Sequence, residues 1–259
     1  MVGTNVDLMI GIVGGVGPYA GLDLARHIYD QTMATADQQH LSITLISEST
    51  HIPDRTEYLL GHVDENPGHA IATVIRKLEQ TGATFAGIPC NTAHASEIFD
   101  VILQDLHHND CHIEVVSLIE STIDALHTQY PHAKGIGVLS TLGTLHFGIY
   151  TKALKNAGFE PVLPEGDEEA KRIHCAIYDP VFGIKAHSNP VAGDATKIIE
   201  SAATKLKHRG AELIVMGCTE IPLALKGSEY DGMPLVDPSK ALARALIHLD
   251  HPEKLKSLT

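Results

Sequence analysis

The chain has 259 residues, of which 44% are hydrophobic, and its 32 Asp and Glu against 19 Lys and Arg give a formal net charge of −13. The apolar content is ample for a folded core and excludes a disordered chain. The acidic balance argues against a nucleic-acid-binding protein, because such proteins neutralise phosphate with basic residues. The length predicts one large domain or two lobes.

The first long apolar stretch, residues 8–22, argues against export and membrane insertion. It is rich in glycine, contains Pro18, and has no Lys or Arg before it. These features do not fit a signal peptide or a membrane span. We therefore expect a cytoplasmic protein with no membrane partner, whose four cysteines are thiols rather than disulfides. The cysteines then become candidates for chemistry.

Short runs rich in Ile and Val alternate with longer segments of helical spacing, which is typical of a parallel α/β sheet. The predicted strands, in chain order, are 8–13, 41–46, 84–87, 113–116, 135–139, 159–162, 212–215 and 234–236. Helices fit the gaps between them. Asn66 before Pro67 and Ser117 before Glu120 have the pattern of helix N-caps.

Two segments half a chain apart repeat the same arrangement. Cys90 follows the predicted strand 84–87, Cys218 follows the strand 212–215, and each precedes a predicted helix. This repeat predicts an α/β fold of two pseudo-symmetric lobes, each a mainly parallel sheet flanked by helices and each presenting one thiol. We place residues 1–116 and 232–259 in the first lobe and residues 117–231 in the second.

The position of each cysteine, between a strand and a helix, suits chemistry. Loops at the carboxyl ends of parallel strands line ligand crevices, and a helix N-terminus lowers the pKa of a nearby thiol, so that a thiolate base forms near neutral pH. Asn91, Thr92 and Thr219 follow the two cysteines and offer N–H groups and short polar side chains to a carboxylate. A single such cysteine is more often a small buried residue. Two cysteines in the same strand-to-helix context, half a chain apart, instead favour a catalytic role for both.

The other two cysteines have ordinary explanations. Cys175 lies in a segment of helical pattern, where we expect a core thiol. Cys111 lies among histidines and Asp110 in residues 107–112, but adjacent ligands are poorly spaced for a tetrahedral zinc ion. No metal site is predicted.

Residues 15–20 offer an alternative, because they match the G-x-G-x-x-A turn of dinucleotide-binding proteins, and Glu48 ends the next strand where a ribose-binding acid belongs. An NAD-dependent dehydrogenase would leave both cysteine motifs unexplained. A glycine turn also serves other small ligands, so Gly15 stays a candidate substrate contact. Arg55, in the loop 52–56, suits a substrate carboxylate, although a solvated surface charge fits equally well; Lys185 is a second candidate.

The motifs together resemble those of the aspartate/glutamate racemase superfamily, and within it the aspartate racemase branch. The resemblance rests on residues 10–18, 53–56, 89–94, 139–141 and 217–220. It implies a cofactor-independent amino-acid racemase, commonly a homodimer, with its active site in a cleft between two lobes. It also implies that Cys90 and Cys218 are catalytic, and that Arg55 and Lys185 bind the substrate carboxylate.

The resemblance also implies a two-thiol mechanism, in which one cysteine removes the Cα proton and the other returns one, so that both thiols need similar pKa values. The implied contacts to the α-carboxylate and amino group are Asn91, Thr92, Thr141 and Thr219. Glu220 and His94 are candidates to orient the thiols, and for His94 a purely structural hydrogen bond is equally open.

Glu220 stands where related glutamate racemases carry His, which favours the aspartate branch. Glutamate and broad-specificity racemases remain open as alternatives. A non-catalytic amino-acid-binding protein would be favoured if either Cys90 or Cys218 were missing, and both are present.

Overall fold

The computed structural model describes residues 8–258, and their strands form two sheets. The first sheet contains β1 (Ile10–Gly14), β2 (Ile43–Ser47), β3 (Phe85–Gly87) and β4 (Glu114–Val116). The second contains β5 (Gly135–Ser140), β6 (Glu160–Val162), β7 (Leu213–Gly217), β8 (Glu229–Tyr230) and β9 (Met233–Val236). The helices are α1 (Pro18–Gln31), α2 (Arg55–Leu59), α3 (Pro67–Gln80), α4 (Ser96–His108), α5 (Leu118–Gln129), α6 (Leu142–His146), α7 (Ile149–Asn156), α8 (Gly166–Tyr178), α9 (Gly193–His208), α10 (Ile221–Ala224) and α11 (Pro238–Asp250).

Each sheet has the same core of four parallel strands. The first runs in the order β2-β1-β3-β4 and the second in the order β6-β5-β7-β9, with β8 antiparallel on its edge. The third strand in each order carries a cysteine just beyond its end, Cys90 after β3 and Cys218 after β7. The two-lobed α/β fold with a mainly parallel sheet in each half is therefore confirmed.

The matching orders correct one detail of the expected lobes. β9 pairs with β7 in the second sheet and is the counterpart of β4, so the assignment of residues 232–236 to the first lobe is wrong. The physical reason is that β7 needs a partner strand for the N–H and C=O groups of its second edge. The chain returns only with α11, which packs against α1.

Helices cover both faces of the first sheet. Val13 of β1 packs in one apolar cluster with α3 and α4, whereas Ile10 and Ile12 point the other way, toward α1 and α11. The cluster that contains Ile10 and Ile12 also contains Ile136 and Val138 of β5. A continuous core thus joins the two halves and holds their strand ends in a fixed relation.

The local predictions are largely confirmed. All eight predicted strands are present, and only the two-residue β8 was not predicted. The side chains of Asn66 and Ser117 accept N-cap hydrogen bonds, from the N–H groups of Gly68 and Glu120. Within residues 8–258, no helix combines the length and apolar character needed to cross a membrane.

Candidate active site

The two cysteines from the matched strand ends line one small cavity between the sheets. Its other lining residues are Val16, Arg55, Asn91, Thr92, Thr141, Tyr178, Lys185, Thr219 and Glu220. Cys90 and Cys218 are both buried. The cavity volume is about 10 Å³, close to the space that a single water molecule needs. The site is therefore narrow, with room for about one water molecule between the lining side chains.

The structure brings to this cavity every residue predicted to be catalytic or to contact the substrate, except Gly15. Gly15 lines an adjoining cavity of about 300 Å³, which shares Arg55, Lys185 and Glu220 with the central one. A side chain at Gly15 would collide with the backbone N of Ser49 at 2.6 Å, and its φ of +84° also favours glycine. Gly15 thus shapes the neighbouring cavity and does not contact the space between the thiols.

Arg55 is placed by the start of α2. Asp54 caps this helix by accepting hydrogen bonds from the N–H groups of Thr56 and Glu57, which fixes Arg55 as the first helical residue. The guanidinium is almost fully buried beside Cys90. Burial lowers the pKa of Arg55, but its interactions with Cys90 and Asp54 outweigh this effect and raise it above its usual value. Arg55 is therefore a permanent buried cation, not a solvated surface charge.

Lys185 supplies a second cation from the opposite half. Its Nζ donates to Asp54 Oδ2 at 3.3 Å and lies 4.3 Å from the centre of the Tyr178 ring. Burial lowers the pKa of Lys185, but its interactions with Glu220, Tyr178 and Asp54 raise it above its usual value. The cavity therefore carries two positive groups, one from each half of the protein.

Tyr178 is a site residue that the sequence analysis missed. Its hydroxyl donates to Asp54, with both carboxylate oxygens at 3.1 Å, and its ring supports Lys185. The signal that could have found it is its place as the last residue of α8, immediately before the loop that carries Lys185. An aromatic side chain there can reach the same cavity as the loop.

Cys218 has an acidic environment that the sequence did not predict. Its thiol donates to Glu220 Oε2 at 3.0 Å, and the Thr219 hydroxyl donates to the same oxygen at 3.3 Å. Burial raises the pKa of Cys218 well above its usual value, and the charge of Glu220 raises it further. The expectation that a helix N-terminus lowers the pKa of Cys218 is wrong, because α10 is a single turn and the effect of burial is larger.

Glu220 reaches this position because Gly17 leaves room for it. A Cβ on Gly17 would lie 2.8 Å from Glu220 Oε1. The glycine turn after β1 therefore allows the Glu220 side chain, from the other half of the protein, to lie close to the backbone. Glu48, the acid expected for ribose binding, forms an ion pair with Lys77 at 2.6 Å instead.

His94 holds the loop of Cys90 in place. Its Nε2 accepts the N–H of Leu118 at 3.1 Å, so its Nδ1 carries the proton and donates to the carbonyl oxygen of Cys90 at 2.9 Å. Burial lowers the pKa of His94 to about 4. The ring is therefore neutral at physiological pH and joins the Cys90 loop to the start of α5.

Two buried donors on the cavity wall have no partner among the described residues. They are Asn91 Nδ2 and Arg55 Nε. The amide of Asn91 is oriented by Tyr150, whose hydroxyl donates to Asn91 Oδ1 at 2.6 Å. Buried donors without partners are rare, because each costs roughly 1–3 kcal/mol. Their presence here indicates a site for an anionic ligand.

Buried threonine hydroxyls line the cavity between the two halves. Thr92 Oγ1 lies 2.9 Å from Thr144 Oγ1 and 3.4 Å from Thr141 Oγ1. These groups are small, polar and able to rotate between donor and acceptor roles. They can therefore accept or donate to a small polar ligand without a change in the backbone.

Outside this cavity, the structure bears on the expectations for Cys175 and for a metal site. Cys175 is exposed, so the expected core thiol is wrong: it lies on the face of α8 opposite Ile173 and Ala176, which are buried. In residues 8–258, the side chains close enough to share a metal ion are Asp23, His27 and Asp237, and residues 107–112 form no such group.

The geometry suits proton transfer at a carbon atom held between two thiols. Such chemistry needs an anchored substrate, exclusion of water and an acid and a base on opposite faces. The cavity offers two buried thiols from opposite halves, two cations and little room for water.

The family follows from comparison with known proteins. Residues 13–246 match the family model described as Asp/Glu/hydantoin racemase. The chain belongs to this family. It is therefore an isomerase of the racemase type, and the dehydrogenase alternative is set aside.

Relatives of this racemase differ in their substrates. The broad-specificity amino-acid racemase RacX of Bacillus subtilis is 26% identical over 247 residues, which cover 92% of this chain and 96% of RacX. The aspartate racemase of Picrophilus torridus is 27% identical, with a TM-score of 0.76 and 94% of each chain covered. The glutamate racemase of Francisella tularensis, at 15% identity and a TM-score of 0.65 over 98% of this chain and 85% of its own, shares the fold.

Proposed function

We propose that this racemase interconverts L- and D-aspartate without a cofactor, by proton transfer at Cα between Cys90 and Cys218. The observation that carries the proposal is that two buried thiols, one following a strand of each sheet, line the same small cavity. Because a Cα–H bond is only weakly acidic, its deprotonation needs a base that is shielded from water. Inversion also needs an acid on the opposite face of Cα to return a proton.

The surroundings of the two thiols differ. The Arg55 guanidinium lies buried beside Cys90, whereas Cys218 donates its proton to Glu220 and has a pKa raised by burial and by the charge of Glu220. Cys218 acts as the acid when Cys90 removes the Cα proton, and the two thiols exchange these roles in the reverse direction.

The unpartnered donors suit the carboxylates of the substrate. Asn91 Nδ2, with the hydroxyls of Thr92 and Thr141, is available to the α-carboxylate. Arg55 Nε and Lys185 are available to the side-chain carboxylate, and Thr219 lies beside the second thiol. Two buried cations favour a dicarboxylic amino acid, because a neutral side chain would leave their charge without a new partner.

The preference for aspartate over glutamate rests on the size of the cavity and on the aspartate racemase among the structural relatives. A cavity of about 10 Å³ must expand for any substrate, and the shorter side chain needs the smaller expansion. Glutamate and broad-specificity racemases among the relatives define the panel for the test.

The test is racemisation in heavy water. If two thiols act on opposite faces, the product enantiomer takes its Cα hydrogen from a thiol that has exchanged with solvent. Early product is then almost fully deuterated, whereas the remaining substrate stays largely protonated. Chiral chromatography with mass spectrometry, run on aspartate, glutamate and alanine without added cofactor, measures isotope content and specificity together.

Variants test each thiol separately. Cys90→Ala and Cys218→Ala should each abolish net racemisation, while Cys175→Ala, an exposed cysteine, serves as the matched control and should keep full activity. Early product that retains the hydrogen of the substrate would refute the two-base mechanism. Activity that appears only after addition of pyridoxal phosphate or NAD would refute the proposed cofactor independence.

A further inference from the structure

A second cavity, of about 610 Å³, lies apart from the active site. Its walls come mainly from α1, α5, α11 and the segment 222–228. Among the described residues, it shares no lining side chain with the cavity between the thiols or with the cavity that contains Gly15. Leu223 of α10 lines it, and the Leu223 N–H donates to the carbonyl oxygen of Glu220 at 3.1 Å. A ligand there would touch the turn that follows Cys218 without entering the substrate site.

This second cavity is rich in cations, although the chain has a formal net charge of −13. Four Lys and Arg side chains line it, against two carboxylates, Asp23 and Asp237. Both carboxylates already have partners. His27 Nε2 lies 3.2 Å from Asp23 and 3.0 Å from Asp237, and Asp23 also pairs with Arg26. The two carboxylates are therefore not available to neutralise the other cations.

Three of the cations, Lys226, Lys240 and Arg244, form no ion pair within residues 8–258. Lys240 and Arg244 are four residues apart on α11, so they are neighbours on one face of the helix and repel each other. Burial lowers the pKa of Arg244, and no carboxylate opposes this effect. Like charges gathered around one cavity attract an anionic ligand.

Arg244 is held in place although it has no acidic partner. Its Nη1 donates to Gln31 Oε1 at 2.8 Å and to the carbonyl oxygen of Lys256 at 3.0 Å. Both bonds use the same nitrogen, so Nε and Nη2 remain available to a ligand. A guanidinium fixed in this way suits the two-pronged binding of a phosphate group.

The size and the remaining wall of the second cavity define the rest of the ligand. The apolar part of the wall comes from Ala125, Tyr130, Met216, Leu225 and Leu235. A volume of about 610 Å³ is typical of a pocket for a small organic molecule and is far more than a free phosphate ion fills. The ligand therefore has an apolar body as well as an anionic group.

We infer that the second cavity binds an organic phosphate of about nucleotide size. A phosphate group carries nearly two negative charges, whereas a carboxylate carries one, so phosphate is the better match for three unpaired cations. The phosphate lies at Lys226, Lys240 and Arg244, and the apolar body of the ligand packs against the remaining wall.

The test is isothermal titration calorimetry of the full chain with ADP and CDP, which carry a large and a small base. At least one of them should bind with a dissociation constant below about 1 mM. Inorganic pyrophosphate and adenosine, each of which supplies only one part of the ligand, should bind at least ten-fold more weakly. Failure of both nucleotides to bind would overturn the inference, and so would pyrophosphate that binds as tightly as the better nucleotide.

Variants place the bound nucleotide. Lys240→Glu reverses an exposed charge at the cavity and should weaken binding at least ten-fold, whereas Lys240→Arg should keep the affinity within about three-fold. Lys155→Glu makes the same charge change on α7, outside the cavity, and is the matched control. Circular dichroism shows that each variant is folded. Unchanged binding by Lys240→Glu, or an equal loss in Lys155→Glu, would contradict the assignment.

One further variant separates the second cavity from the active site, which also contains cations. Arg55→Ala removes a cation between the thiols and should leave nucleotide affinity unchanged, because Arg55 does not line the second cavity. Lys240→Glu should in turn racemise at the wild-type rate when no nucleotide is present. Loss of nucleotide binding in a folded Arg55→Ala variant would place the nucleotide in the substrate site and overturn the inference.

Discussion

His27 forms an ion bridge that joins α1 to the end of β9, and its replacement by Gln should destabilise the protein. Its Nε2 lies 3.2 Å from Asp23 Oδ2 and 3.0 Å from Asp237 Oδ2. Burial lowers the pKa of His27, but these two carboxylates outweigh burial and raise it to about 9. The imidazole is therefore charged at neutral pH, and Asp237 also caps α11.

The size of the effect follows from the pKa. A rise from the ordinary 6.5 to about 9 corresponds to roughly 3 kcal/mol of stability when the imidazole is protonated in both the folded and the unfolded state. This contribution is complete below pH 6.5, about 2.5 kcal/mol at pH 7, and lost as the pH rises through 9. At pH 10 almost none remains.

The assay is urea unfolding of the wild-type protein and His27→Gln, at pH 7 and pH 10. We expect a loss of about 2–3 kcal/mol at pH 7, equivalent to a melting-temperature decrease of roughly 4–10 °C for a chain of this size. At pH 10 the two proteins should differ by less than about 1 kcal/mol, because the wild-type imidazole is then neutral. An equal difference at both pH values would refute an ionic role for His27.

Three further predictions concern the cavity. Arg55→Ala should lower kcat/KM by roughly 10- to 150-fold for acidic substrates, and less for alanine, since a charged hydrogen bond contributes about 1.5–3 kcal/mol; equal losses would assign Arg55 to the α-carboxylate or to structure. Glu220→Gln removes the charge that raises the pKa of Cys218, so the basic limb of the kcat/KM profile should move to lower pH. It should do so equally in both directions, because the equilibrium constant of racemisation is one; an unmoved limb would contradict the pairing. His94→Ala should lower the melting temperature and kcat but leave the shape of the pH profile between 5 and 9 unchanged, since His94 is neutral there; a lost titration step would contradict this.

Local patterns predicted the strands and the two cysteine loops. The eight apolar runs were sufficient because a buried parallel strand is a short run of Ile and Val, whatever its neighbours are. Cys90 and Cys218 were found because each directly follows such a run, and strand ends at the same edge of a sheet face a common cleft. Arg55 was a candidate from its loop, with a solvated surface charge equally open, and the resemblance then favoured substrate binding. Its burial became evident only in the fold.

The tertiary structure alone decided the contacts between distant segments. Three such contacts are the pairing of β9 with β7, the hydrogen bond from the Tyr178 hydroxyl to Asp54, and the close approach of Glu220 to Gly17. Each joins segments that are far apart or unrelated in sequence pattern, so no local pattern predicts it. The sequence also does not determine how far a side chain is buried from water. A lowered pKa was expected for Cys218, but burial and the charge of Glu220 raise its pKa instead. The spacing of apolar residues along the chain indicates which segments form strands and helices. The pKa of a side chain depends instead on its burial and on the charges beside it, and only the fold determines both.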